Sequence, residues 1–187
     1  MRPTATLIAE HELIKQGLVV LSAIDRKMKR REVVLPRDIA GLLRFFRQYA
    51  DELHHHKEER LLFTALEKAH VRQFDNMVGA LITQHFLARE FLASMKQDLA
   101  DYRLGKRGSG NRFGLQARAY ITLMTIHICD EDHVLFPLVD RHVSPHTSRN
   151  LTRRFRASDR QQRSTEQSAK FARMVLRMHR KYCSAIA

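Results

Sequence analysis

A chain of 187 residues, 44% of them hydrophobic, fits one domain with its own core, or one domain plus an appendage, and no second independent fold is expected. No window approaches the roughly 20 apolar residues that cross a bilayer, and the start, MRPTATLIAEHELIKQGLVV, meets charged residues too early for a signal peptide, so a cytoplasmic setting is expected. The formal net charge of +13 belongs to the tail: residues 1–140 hold 21 Lys and Arg against 18 Asp and Glu, whereas residues 141–187 hold 12 against 2.

Gly and Pro are scarce and helix formers dominate, which predicts an all-α protein. A first helix is expected over residues 4–30, with Leu7, His11, Ile14, Leu18 and Leu21 on one face. Pro36 suits the first turn of a second helix, whose stripe of Ile39, Leu43, Phe46, Ala50, His54, Leu61 and Ala65 runs to about His70. A third covers about residues 71–103 through Val78, Leu81, His85 and Leu92 and stops at GKRGSGN. The fourth begins near Asn111 and passes Tyr120, Leu123, His127, Val134 and Leu135, with Pro137 expected to end or kink it. Residues 144–148 read as a turn, followed by a fifth, strongly basic helix or helix pair. The expected architecture is an up-down antiparallel four-helix bundle over residues 1–145 with a basic helical extension over 146–187.

Two segments repeat. HHHKEERLLF from His54 and HICDEDHVLF from His127 share H-x-x-x-E-[ED]-x-x-L-F. His11 precedes the first by 43 residues and His85 precedes the second by 42, so two helix pairs carry the same polar residues at nearly the same separation. In a bundle with approximate two-fold symmetry they converge at one level.

A His and a Glu four residues apart lie one turn apart on one face, so both side chains can reach a common point. A single such pair is ordinarily a solvated one, but here Glu58 and Glu131 fall in line with core positions. Burying two carboxylates together costs several kcal/mol unless something positive accompanies them. Protonated histidines would form a buried ion network; two divalent metals would neutralise both glutamates and use the imidazoles of His11, His54, His85 and His127. The doubled pattern favours the metals. Nitrogen and carboxylate donors without cysteine suit iron or manganese better than structural zinc.

With both motifs on the page, the chain resembles the hemerythrin-like, HHE cation-binding family over about residues 5–140: His54 and Glu58, His127 and Glu131, each motif ending in Leu-Phe, resemble the ligands of its second and fourth helices, and EH-x-L at His11 those of its first. The resemblance implies two irons bridged by the two carboxylates and an oxo or hydroxo group, which meet dioxygen, nitric oxide or peroxide in oxygen binding, sensing, iron handling or stress response. One departure stands out. Oxygen carriers place two histidines four apart on the third helix, whereas the neighbours of His85 at that spacing are Leu81 and Arg89. This is similar to the bacterial branch, and one iron loses an expected imidazole.

Other histidines are expected to be bland: His55 and His56, rotated about 100° and 200° from His54, at a helix edge or in solvent, and His70, His133, His142, His146 and His179 without a carboxylate in the repeat. Glu59 and Asp132 are expected either to orient a histidine or to lie at the surface. Tyr120 is expected in the core, and Cys129 and Cys183, which lack CxxC spacing, as reduced thiols. Two further readings compete with a gas-responsive or slow peroxide-consuming di-iron protein. The basic tail can bind nucleic acid or an acidic partner, or instead pack on the bundle through Leu151, Phe155, Phe171, Val175 and Met178. A ferritin-like oxidase would use Glu-x-x-His and more carboxylates.

Overall fold

The computed structural model describes residues 2–68, 74–161 and 164–183, and all their regular structure is helical. Helix α1 spans Pro3–Lys29, opening on a proline and closing on Arg26, Lys27 and Lys29, whose charges suit a helix C-terminus. Arg31, at φ 58°, turns the chain in the left-handed region. Helix α2 is composite: an α-helical start, Pro36–Phe45, two π-helical stretches, Phe46–His55 and Glu58–Phe63, and an α-helical end, Thr64–Lys68. Helix α3 spans Asp75–Arg103, and Gly105 and Gly108, both at positive φ, make the turn into α4. Helix α4 runs Ser109–Asp130, widens to π-helix over Glu131–Leu135 and resumes as Phe136–His142. Helices α5, Pro145–Gln161, and α6, Ser164–Cys183, complete the chain.

Several sequence expectations change here. Pro137 does not end α4: it follows the π-helical turn and sits in the first turn of the resumed helix, where no donor is required of it. Val134, expected in the core, is exposed because the widened turn shifts the phase, while Leu135, also expected there, is buried. Ser144 does not open a turn through Ser148 but accepts a hydrogen bond from the Thr147 backbone N–H at 3.1 Å as α5 begins. The tail forms two helices. Its expected packing positions, Leu151, Phe155, Phe171, Val175 and Met178, are all buried. The expected end of the second helix at His70 lies outside the described residues.

Helix α3 packs along α4, and α1 packs along α4 and α6. The interior is divided. One apolar cluster gathers Ile14, Leu18, Phe45, Phe46, Tyr120 and Met124; a second gathers Leu7, Leu62, Leu81, Leu135, Phe136 and Phe155. On each long helix the switch between clusters falls at the motif residues. His11 lies 18 residues before the end of α1, His54 18 after the start of α2, His85 18 before the end of α3 and His127 18 after the start of α4. Chains that double back at residues 30–35 and 104–108 therefore bring the four imidazoles to one level, a polar layer between two apolar ones. Among the described residues, no helix is long and apolar enough to cross a membrane.

Candidate metal centre

All six residues singled out in the sequence, His11, His54, Glu58, His85, His127 and Glu131, are fully buried in this layer. The four imidazoles share one arrangement. Each Nδ1–H donates to an acceptor outside the layer: His11 to Asp132 at 2.7 Å, His54 to Glu10 at 2.9 Å, His85 to Glu59 at 2.8 Å and His127 to Gln84 at 2.9 Å. With the proton committed to Nδ1, each Nε2 turns a lone pair inward. The outer groups obey the repeat: Glu10 and Gln84 precede the histidines of α1 and α3, while Glu59 and Asp132 follow the glutamates of α2 and α4. The surface alternative for Glu59 and Asp132 is thereby set aside. Nothing in the sequence beyond the residue before each histidine pointed to Glu10 and Gln84.

The inward lone pairs meet carboxylates. Glu58 Oε1 lies 3.3 Å from His54 Nε2 and its Oε2 3.5 Å from His85 Nε2, while Glu131 Oε2 lies 3.2 Å from both His11 Nε2 and His127 Nε2. His85 Nε2 and His127 Nε2 face each other at 3.2 Å, two acceptors without a proton between them. None of the four oxygens of Glu58 and Glu131 has a hydrogen-bond donor. Acceptors gathered this way repel one another in a medium of low dielectric unless cations or protons sit among them. In the protein without metal, burial and the neighbouring Glu131 push the Glu58 carboxyl well above the usual range. Burial opposes the charge on Glu131 too, but His127 and His11 hold it low. Burial and His11 push His54 down to about 4.

One residue was misread. His55 faces neither solvent nor a helix edge: it is buried, stacks on His85 at 3.8 Å between ring centroids, and neither ring nitrogen has a hydrogen-bond partner. The cause is the π-helical stretch, which turns less per residue than the ~100° of an α-helix, so His54 and His55 both point inward. His56 is half-buried; His133, His142, His146 and His179 are exposed. His70 falls outside the described residues. Arg89, standing where oxygen carriers have a histidine, pairs with Asp51 at 2.7 Å and Glu59 at 2.6 Å, and His55 brings its imidazole beside His85 instead. Tyr120 packs edge-on against Phe46 in the first apolar cluster, as expected.

The donors form two sets whose ligand atoms lie within 4.8 Å of one another: His11, His54, Glu58 and Glu131 in one, His55, Glu58, His85 and His127 in the other. Glu58 belongs to both, and Glu131 touches an imidazole of each. The set fits metal cations, since it supplies unprotonated nitrogen and anionic oxygen, a buried deficit of positive charge, and outer acceptors that fix each ring. No curated protein and no solved structure matches the chain. The family model of the hemerythrin HHE cation binding domain matches residues 2–139, which include every residue of both sets; the chain belongs to the hemerythrin HHE cation-binding domain family.

Proposed function

We propose that the chain is a non-haem di-iron protein that takes dioxygen, nitric oxide or peroxide as a small ligand and serves sensing, iron handling or stress response. The observation that carries the reading is the set of imidazoles locked at Nδ1 and aimed through Nε2 at two carboxylates without donors. Helices α1–α4 act as an up-down antiparallel bundle in a domain of residues 1–145, a reading supported by the equal register of the four histidines about the two turns, and residues 146–187 are a basic extension whose described part is helical. The free thiols Cys129 and Cys183 suit a reducing cytoplasm.

His11, His54, Glu58 and Glu131 would hold one iron and His55, Glu58, His85 and His127 the other, with Glu58 common to both sets. When bound, such a pair supplies reversible one-electron chemistry and an open position for a diatomic ligand or peroxide. The side chains do the rest. Asp132, Glu10 and Glu59 increase the basicity of the rings they hold, whereas Gln84, a neutral amide, does so less for His127, which makes the two positions inequivalent. Complete burial of the donors between two apolar layers keeps bulk water and large substrates out.

Titrating the reduced, anaerobic protein with nitric oxide, dioxygen and hydrogen peroxide tests the reading. At least one gives a saturable change in the visible spectrum that Glu58→Ala abolishes. Indifference of the iron-loaded protein to all three would refute it.

A further inference from the structure

Away from the metal layer, the densest unpaired charge lies on α5. Arg149, Arg153, Arg156 and Arg160 are exposed and, with Thr152, line one surface groove. At about 100° per residue they fall within a sector about 60° wide, on the side of α5 opposite Leu151 and Phe155, which are buried. Several arginines of the bundle helices are matched, Arg89 by Asp51 and Glu59, Arg112 by Asp98 and Asp101, Arg118 by Asp25. Among the described residues, none of the four groove-lining arginines makes an ion pair. The one carboxylate of α5, Asp159, pairs with the buried Lys57 at 2.6 Å.

We propose that this arginine face binds the phosphate backbone of duplex nucleic acid without regard to sequence. From Arg149 to Arg160 the row is about 16 Å long, a length over which one strand of a duplex presents about five phosphates. Guanidinium groups match phosphate oxygens in pairs, and a row fixed on a packed helix loses little freedom on binding. Other polyanions fit less well. A helix that lies on a membrane buries an apolar face among the lipids, but the apolar face of α5 is already spent on the protein core. Single strands are held by aromatic side chains that stack on bases, and the tail's aromatics, Phe155, Phe171 and Tyr182, are all buried.

The test is fluorescence anisotropy with the full chain and a labelled duplex of arbitrary sequence. Four phosphate contacts predict a slope of about −3.6 in log K against log salt, so affinity falls about 150-fold between roughly 50 and 200 mM. Arg153→Ala with Arg156→Ala reduces the slope by about 2. Arg44→Ala with Arg177→Ala removes the same charge from the groove between α2 and α6 and leaves the slope unchanged. Both pairs are at the surface, and an unaltered melting temperature confirms that each variant folds. Parallel arms with duplex DNA and duplex RNA identify which source supplies the backbone. No binding to either duplex at low salt, equal losses from both arginine pairs, or displacement of the duplex by polyglutamate of matched charge or by anionic vesicles would each overturn the proposal.

Discussion

Replacing His55 with phenylalanine separates a ligand from a packing residue, because the two roles give opposite signs in the metal-free and metal-loaded protein. Without metal, His55 Nδ1 lies 3.6 Å from Asp51 Oδ1 but the buried Nε2 is left unpartnered, and such a group costs about 1–3 kcal/mol. Phe removes that cost and keeps an aromatic ring against His85, now stacked at 3.8 Å. The slightly larger ring overfills the site by about 1 kcal/mol. The metal-free variant is therefore as stable as the parent or about 1–2 kcal/mol more so, a rise of roughly 2–8 °C in Tm for a chain of this size. With metal, the variant lacks one nitrogen of the set formed with Glu58, His85 and His127, and a metal held by that set binds at least about tenfold more weakly, a loss of about 1.4 kcal/mol or more. Competitive chelator titration and melting curves of both states read the two effects. Equal Tm shifts in both states, with metal affinity unchanged, would refute the ligand role.

Three further outcomes follow from the same structure. Lys57 is wholly buried between Glu10 and Asp159, so Lys57→Met removes the cation these two carboxylates share and costs about 3–5 kcal/mol, seen as a fall of roughly 10 °C in Tm; a change within about 2 °C would show that the pairs are replaced by water. His85 and Arg89 hold the Glu59 carboxylate down to about 2 from its ordinary 4.5, against the opposing effect of burial. Since the unfolded chain takes up that proton first as pH falls, the stability Glu59 contributes is complete above about 4.5 and lost by about 2. In metal-free protein the Tm gap between the parent and Glu59→Gln is widest above pH 5 and closes by about pH 2; a gap that persists in acid would contradict this. At Gly17 an added Cβ would lie 2.5 Å from the buried Phe45 ring, so Gly17→Ala loses about 1 kcal/mol net despite its better helix propensity, and a rise in Tm would refute the close packing.

The buried polar cluster was legible in the sequence because its residues repeat at one helical turn in line with core positions: His54 with Glu58 and His127 with Glu131 stood out by the doubled spacing, and His11 and His85 by their matched separations. The apolar stripe of α1 was equally plain, with Leu7, Ile14, Leu18 and Leu21 all buried. What escaped depends on backbone geometry that spacing does not encode. Helical wheels at 100° per residue place His55 away from His54 and Val134 beside His127, and the π-helical stretches at Phe46–His55 and Glu131–Leu135 reverse both assignments. The same widening carries α4 past Pro137. Glu10 and Gln84 were missed for a different reason. Each serves a histidine on the neighbouring helix of its pair, a contact between helices that no pattern along one helix reveals.

We propose that the buried layer holds two iron ions. Mass spectrometry of metals in anaerobically purified protein, with Glu58→Ala alongside, addresses it most directly, since Glu58 belongs to both donor sets. Two irons per chain, both lost in the variant, is the predicted result. A protein without iron, or with a single tightly held zinc that survives Glu58→Ala, would contradict the account.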